Sequence, residues 1–159
     1  MDRLWAEYRA HRYFVENTGE LWVRRAALKN LPEHARLIPF DCDHDANEMS
    51  CEVHTLNGTN SGMCALNLAY HCQPEQVFLF GFDMQKGPNG EPYYHKPYEW
   101  ANQNGATTSG KYKEWTPQFE KLARQFARAG AVVWNVNSRS TLQCFPVIDY
   151  DGFLNLVKK

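Results

Sequence analysis

A glycine-containing turn, Gly58-Thr59-Asn60-Ser61-Gly62, lies between an alternating apolar segment and an apolar helical segment. Backbone N–H groups at the start of a helix attract anions, and glycine allows a phosphate group to approach the backbone closely. The spacing is neither that of a P-loop, which also requires a lysine, nor Gly-x-Gly-x-x-Gly. Two interpretations follow: a nucleotide site that uses Gly58, Asn60, Ser61 and Gly62, or a helix start that Asn60 or Ser61 caps.

A carboxylate and a group of small polar residues follow two other apolar segments. Asp83 comes after segment 76–82, and Asn137, Ser138 and Ser140 come after segment 131–136. A carboxylate at the end of a strand can bind a ribose hydroxyl, a metal ion or the N–H groups of a neighbouring loop, and an aspartate that only orders the loop is an equally good interpretation. Parallel strands bring their carboxyl ends to one edge of a sheet, where ligands of open α/β sheets bind. The sequence therefore predicts that these residues and the glycine turn form one ligand-binding edge.

Residues 84–116 are rich in glycine, proline, asparagine and aromatic residues and show no clear period. A connection of this length is usually functional or disordered. His95 is the one histidine in this segment, so it is the candidate for acid–base catalysis, with Tyr93 and Tyr94 beside it as ligand contacts. The alternative is that the rings only pack the loop against the domain.

The segment Asp41-Cys42-Asp43-His44-Asp45 combines carboxylates with an imidazole, which are ligands for divalent cations. Its spacing is not that of an EF-hand, and a solvated acidic loop is the interpretation we favour. We therefore predict no metal site and no cofactor.

Hydrophobic periodicity predicts the elements that position these residues. From residue 51 onward, strands and helices alternate, which indicates a parallel α/β sheet with crossover connections. We predict a single Rossmann-like α/β domain over residues 1–159, with helices on the sheet. The predicted helices are 2–13, one within 17–35, 63–72, 118–128 (with Thr116-Pro117 as its start) and a last turn at 152–157, and the predicted strands are 36–41, 51–56, 76–82 and 131–136.

Composition limits the class of protein. A chain of 159 residues with a formal net charge of −1 suits one domain and offers no basic surface for nucleic acid or anionic lipid. The five cysteines are odd in number and lack a Cys-x-x-Cys motif, which favours reduced thiols in the cytoplasm. No apolar run approaches the ~20 residues of a membrane span, and the amino terminus lacks the apolar region of a signal peptide.

The segment GTNSGMCALNLAYHC followed by QVFLFGFDM resembles the strand–turn–helix–strand core of the Campylobacter-type bacterial sialyltransferases. In those enzymes a Thr-Ser-Gly turn opens the helix, and the next strand ends in Gly-hydrophobic-Asp, here matched by residues 60–62 and 81–83. Phage "norphogenetic"-type proteins look closer still, and their D-x-x-W motif is similar to Asp2-Arg3-Leu4-Trp5. The same Rossmann-like core also resembles pterin diphosphokinases.

This resemblance implies a nucleotide or nucleotide-sugar ligand, with Ser61 and Gly62 at the nucleotide of a CMP-sugar and residues 137–140 near the same ligand. It also implies an amino-terminally reduced fold, since the transferases begin with a glycine-rich strand that is not seen here. Their catalytic histidine precedes the long carboxyl-terminal helix, where residues 109–113 contain none, so His95 is the candidate replacement. We expect a glycosyltransferase-like protein of the cytoplasm (the host cytoplasm if phage-encoded) or, alternatively, a non-catalytic phage-type binding module. An unpaired sheet edge also predicts either a homodimer or an amino-terminal helix that covers the edge.

Overall fold

The computed structural model describes residues 19–30, 37–43, 48–91 and 109–158. The chain divides into two compact units, Met1–Leu68 and Ala69–Lys159. The described residues form three α-helices, one 3-10 helix and two two-stranded parallel sheets, which confirms the mixed α/β class. The single Rossmann-like sheet and the single domain stay predictions, and the predicted helix over residues 2–13 lies outside the described residues. Among the described helices, none has the length and apolar character needed to cross a membrane.

The first unit contains a short parallel sheet. Strand β1 (Leu21–Arg24) pairs with β2 (Leu37–Phe40), and a 3-10 helix (Arg25–Asn30) follows β1 directly. Leu21 and Val23 are buried, as the alternation of a strand requires. The short helix predicted within 17–35 is present as this 3-10 helix, whereas the strand before it was not predicted. Leu-Trp-Val-Arg forms a strand because it pairs with β2 and because aromatic and β-branched residues suit a strand. The strand predicted at 36–41 is confirmed.

Residues 51–56, predicted as a strand, contribute only one paired residue. Thr55 forms a parallel bridge with Asp41, whose N–H donates to the His54 carbonyl at 2.8 Å. A tight turn prevents a longer strand, because the Thr55 N–H donates to the Glu52 carbonyl and His54 has a left-handed φ of 64°. The glycine turn then leads into α1 (Ser61–His71), close to the predicted helix.

The fully buried Asn67 of α1 holds two other segments in place. Its Oδ1 accepts hydrogen bonds from the N–H groups of Ser50 and Asn57, both at 2.8 Å, and its Nδ2 donates to the Ser50 carbonyl at 2.9 Å. Met63 and Leu66 of the same helix are 1% exposed and form the apolar core around it. This amide therefore fixes the chain just before the glycine turn, and its burial is tolerated because three of its hydrogen bonds are made.

The second unit is built on a parallel strand–helix–strand arrangement. Strand β3 (Gln76–Leu79) pairs with β4 (Val132–Asn135), and helix α2 (Ser109–Arg128) lies between them in the chain. The pairing is parallel, as the alternation of elements predicted. Helix α2 buries Phe119, Leu122 and Phe126, the residues expected on its apolar face.

The observed ends of two helices in this unit can be compared with the helix starts predicted from the sequence. The predicted start of α2 at Thr116-Pro117 is wrong, because the helix begins at Ser109 and Pro117 lies inside it on an exposed face. The Thr116 hydroxyl, instead of capping, donates to the Tyr112 carbonyl at 2.9 Å. The last helix, α3 (Tyr150–Val157), confirms the predicted final helical turn, and Asp149 caps it by accepting from the Gly152 N–H at 2.8 Å.

Replacing Asn67 by alanine should destabilise the protein by about 3 kcal/mol, because two buried backbone groups of Ser50 and the part-buried N–H of Asn57 lose their partner. Asn155→Ala is the matched control, since Asn155 is exposed on α3 and its loss should change stability by no more than about 0.5 kcal/mol. Urea denaturation of both variants measures the difference. Equal stabilities of the two variants would contradict the conclusion that Asn67 stabilises the segments around Ser50 and Asn57.

Candidate functional site

The carboxyl ends of β3 and β4 lead into two loops that are hydrogen-bonded to each other. The Val136 N–H donates to the Leu79 carbonyl at 2.9 Å and continues the strand pairing. Further along, the Thr141 N–H donates to the Asp83 carbonyl at 3.0 Å, and the Thr141 hydroxyl donates to the Met84 carbonyl at 2.9 Å. The two loops therefore form one polar edge, defined here by residues 80–85 and 136–143 and called the β3–β4 edge.

An exposed carboxylate at the β3–β4 edge is oriented by an amide. The Nδ2 of Asn137 donates to Oδ1 of Asp83, and the Oδ1 of Asn137 accepts from the Arg139 N–H at 2.9 Å. Among the described residues, Oδ2 of Asp83 has no hydrogen-bond partner. The arrangement presents a fixed acceptor to solvent, and such an acceptor suits a hydroxyl donor of a ligand.

Ser140, another predicted ligand contact, hydrogen-bonds the backbone of the two loops. It is 5% exposed, its hydroxyl donates to the Phe82 carbonyl at 2.6 Å, and it accepts from the Leu142 N–H at 3.0 Å. Ser138, two residues earlier, is exposed. The structure thus brings Asp83, Asn137 and Ser140 together and leaves Asp83 and Ser138 as the groups open to a ligand.

Three residues that shape this edge were not among the predicted ligand contacts. The Gln85 side-chain amide donates to the Arg139 carbonyl, and Thr141 makes the contacts given above. Asn135 is fully buried at the end of β4, and its Oδ1 has no partner in the described part of the chain. The asparagine within the otherwise apolar run AVVWNV is the signal that would have identified it, because a buried amide needs a polar neighbour.

The glycine turn of the first unit is a capped helix start. The Oδ1 of Asn60 accepts from the Met63 N–H at 3.1 Å, so Asn60 is the cap of α1, one of the two interpretations from the sequence. Gly58 has a φ of 152°, and a Cβ atom there would lie 2.5 Å from Cβ of Met63. This glycine is therefore required by packing. The N–H groups of Ser61 and Gly62 stand at the first helical positions, where a helix provides no internal acceptor.

Several predicted groups belong to the first unit or lie beyond the described residues. The glycine turn belongs to the first unit and the β3–β4 edge to the second, so their meeting at one site stays a prediction. His95, Tyr93 and Tyr94 lie outside the described residues, and the catalytic assignment of His95 stays a prediction.

Residues 41–43 are the described part of the acidic segment 41–45, and Asp41 there forms an ion pair. The Nε of Arg25 donates to both carboxylate oxygens of Asp41, at 3.0 and 3.1 Å. Within residues 19–30, 37–43, 48–91 and 109–158, no group of three or more His, Cys, Asp or Glu side chains has the arrangement of a metal site. Asp41 therefore acts within the first unit as the partner of a guanidinium.

Comparison with known proteins found no matching family model, and no curated protein or solved structure matches the chain. The resemblance to bacterial sialyltransferases and phage proteins therefore stays a prediction from the residues that carry it.

Ser140→Ala should lower the free energy of unfolding by about 2 kcal/mol, because the part-buried Phe82 carbonyl and the buried Leu142 N–H lose the hydroxyl that joins them. Ser138→Ala, two positions away and exposed, should change stability by less than about 0.5 kcal/mol. Chemical denaturation of the two variants measures the contrast. A similar small effect for both serines would mean that the hydroxyl of Ser140 does not hold the loops.

Proposed function

We propose that this protein binds a nucleotide or nucleotide-sugar at the β3–β4 edge, with Asp83 accepting hydrogen bonds from the ribose hydroxyls. The observation that carries the proposal is the exposed Asp83 carboxylate, held by the Asn137 amide at the carboxyl ends of two parallel strands. In parallel α/β folds this is the edge where ligands bind, and an acidic residue there commonly holds a ribose. The proposal includes a Rossmann-like arrangement of the chain.

The charge at the edge favours a ligand with both hydroxyl and anionic groups. Asp83 attracts hydroxyl donors and repels phosphate, whereas the exposed Arg139 has no ion-pair partner among the described residues. A guanidinium binds phosphate oxygens through two parallel hydrogen bonds. A nucleoside phosphate carries both groups, with the ribose for Asp83 and the phosphate for Arg139.

Glycosyl transfer is the reaction that the family resemblance implies for such a ligand. In that reaction the acceptor hydroxyl attacks the anomeric carbon of the nucleotide-sugar, the bond from that carbon to the phosphate oxygen breaks, and the nucleotide leaves. A base takes the proton of the attacking hydroxyl, and His95 is the residue we propose for it. In this proposal the β3–β4 edge binds and orients the ligand. Residues 80–85 and 136–143 contain no histidine, so the base has to come from another segment.

Calorimetric titration with CMP, CMP-sialic acid, other nucleotides and pterins tests the binding proposal. Asp83→Asn should weaken nucleotide binding about 10- to 100-fold, because a charge-assisted hydrogen bond contributes about 1.5–3 kcal/mol. Glu75→Gln is the matched control, since Glu75 is exposed just before β3, at the opposite end of the strand, and its loss should leave affinity unchanged.

A second pair of titrations separates the two contacts. Arg139→Gln should weaken the binding of the nucleotide but not of the corresponding nucleoside, because only the nucleotide carries phosphate. Wild-type affinity in Asp83→Asn would refute the proposed site, and the absence of any binding ligand would refute the proposed function.

A specific observation supports the alternative of a non-catalytic interaction module. Phe80 and Tyr150 are 49% and 60% exposed, and both contact the ring of Phe153, with centroid distances of 5.0 and 5.9 Å. Exposed aromatic residues in a group are typical of protein-binding surfaces. The homodimer expected from the sequence is one way of covering this group of rings.

Light scattering tests the alternative. If this aromatic group mediates association, the wild-type protein should have the mass of a dimer and Phe80→Ser should shift it towards the monomer. Val53→Ser is the control, because Val53 is 78% exposed in the first unit and is not part of the group. A wild-type monomer at high concentration would contradict self-association through these rings.

A further inference from the structure

Two thiols of the first unit converge on one carbonyl group. The Sγ of Cys42 donates to the Gly58 carbonyl at 3.2 Å, and the Sγ of Cys64 lies 3.8 Å from the same oxygen. Cys42 comes two residues after β2, and Cys64 is in the first turn of α1. The fold therefore brings two cysteines that are 22 positions apart in the chain to the same carbonyl oxygen. Both side chains are half-buried.

We infer from this geometry that Cys42 and Cys64 form a reversible disulfide when the protein meets a low-molecular-weight disulfide. Since both sulfurs lie within 3.8 Å of one oxygen, only short movements separate them from each other. Disulfides require Cβ atoms about 4 Å apart, and a shared hydrogen-bond acceptor is compatible with that spacing after side-chain rotation. The inference is independent of the proposed nucleotide site.

The reaction is two successive thiol–disulfide exchanges. One cysteine thiolate attacks the small disulfide, which forms a mixed disulfide and releases one small thiolate. The second cysteine thiolate then attacks the protein sulfur of that mixed disulfide, which forms the Cys42–Cys64 bond and releases the second small thiolate. The protein loses two protons and two electrons, and the small disulfide is reduced to two thiols.

Oxidation changes the surroundings of the glycine turn. Both S–H donors to the Gly58 carbonyl disappear, because a disulfide has no S–H group. The new bond also ties the end of β2 to the first turn of α1, which restricts the unfolded chain and stabilises the folded one. The oxidised protein should therefore melt on the order of 5 °C higher than the reduced protein, and a dithiol should reverse the shift.

The pH dependence of this reaction can be derived from the environment of Cys64. Burial, and after it the neighbouring Cys42 thiol, raises the pKa of Cys64 to about 12, and these causes outweigh the positive charge of Arg24, which lowers the pKa. In either order of the two exchanges the Cys64 thiolate makes one of the attacks. Disulfide closure should therefore be slow at neutral pH and should accelerate about tenfold for each pH unit between pH 7 and 9, because the thiolate fraction rises in that proportion well below the pKa.

The test is incubation of the reduced, folded wild-type protein with glutathione disulfide, followed by alkylation in denaturant without reductant and peptide mapping. A Cys42–Cys64 cross-linked peptide, with a loss of about 2 Da and two fewer alkylated sites than the five cysteines, is expected. Mixed disulfides alone, or a cross-link that joins the exposed Cys51 or Cys72 instead, would overturn the inference.

A variant makes the test independent of the other thiols. Replacing Cys51, Cys72 and Cys144 by serine leaves only the inferred pair, and this protein should still close with the same pH dependence. Cys64→Ser is the control that should stop at a mixed disulfide. If Cys64→Ser does not fold, the wild-type peptide map and the rate between pH 7 and 9 decide the question, and a rate unchanged by pH counts against it.

Discussion

Buried polar side chains hold loops in the described part of this protein, where the strand pairing is too short to hold them through the backbone alone. Each described strand has four residues, and each sheet has two strands. Asn67 in the first unit and Ser140 in the second compensate by hydrogen-bonding the backbone of neighbouring segments. Because buried donors and acceptors cost free energy when they are unpaired, each of these side chains specifies one loop conformation and disfavours others.

The geometry of the β3–β4 edge follows from this constraint. Parallel pairing of β3 and β4 brings their following loops to the same end of the sheet, and Ser140 then joins one loop to the Phe82 carbonyl of the other. Asp83 and Asn137 meet as a consequence, so the carboxylate is aimed by residues that are themselves fixed. A group that is held in this way loses little conformational entropy when it binds a ligand, which is the advantage of a preorganised site.

Elements that lie within longer apolar runs of the sequence are predicted well, whereas elements without such a run, or set by tertiary context, are predicted poorly. Strands β3 and β4, helices α1 and α3 and the parallel pairing follow from periodicity, and the meeting of Asp83 with Asn137 follows from that pairing. Strand β1 was not predicted because Leu-Trp-Val-Arg is not part of a longer apolar run, unlike the residues of β3 and β4, and alone it carries too little pattern to distinguish a strand from a helical turn. The start of α2 was misplaced because proline at the first helical position is the commoner case, whereas Pro117 lies within the helix. The burial of Ser140 depends on how two loops pack, which no local pattern encodes.

Charge decides which ligands suit the β3–β4 edge. A lone exposed carboxylate is a weak metal site, since divalent cations prefer several oxygen ligands, and it disfavours an anion that approaches it directly. It is well suited to a neutral diol, whose hydroxyl groups donate to its oxygens. Arg139, whose backbone N–H already orients the Asn137 amide, supplies the one cationic group in loop 136–143. Since a neutral sugar makes no use of the guanidinium and a free phosphate makes no use of the carboxylate, the two groups together would suit a molecule that carries both a sugar diol and a phosphate, which is why we propose a nucleotide or nucleotide-sugar as the ligand.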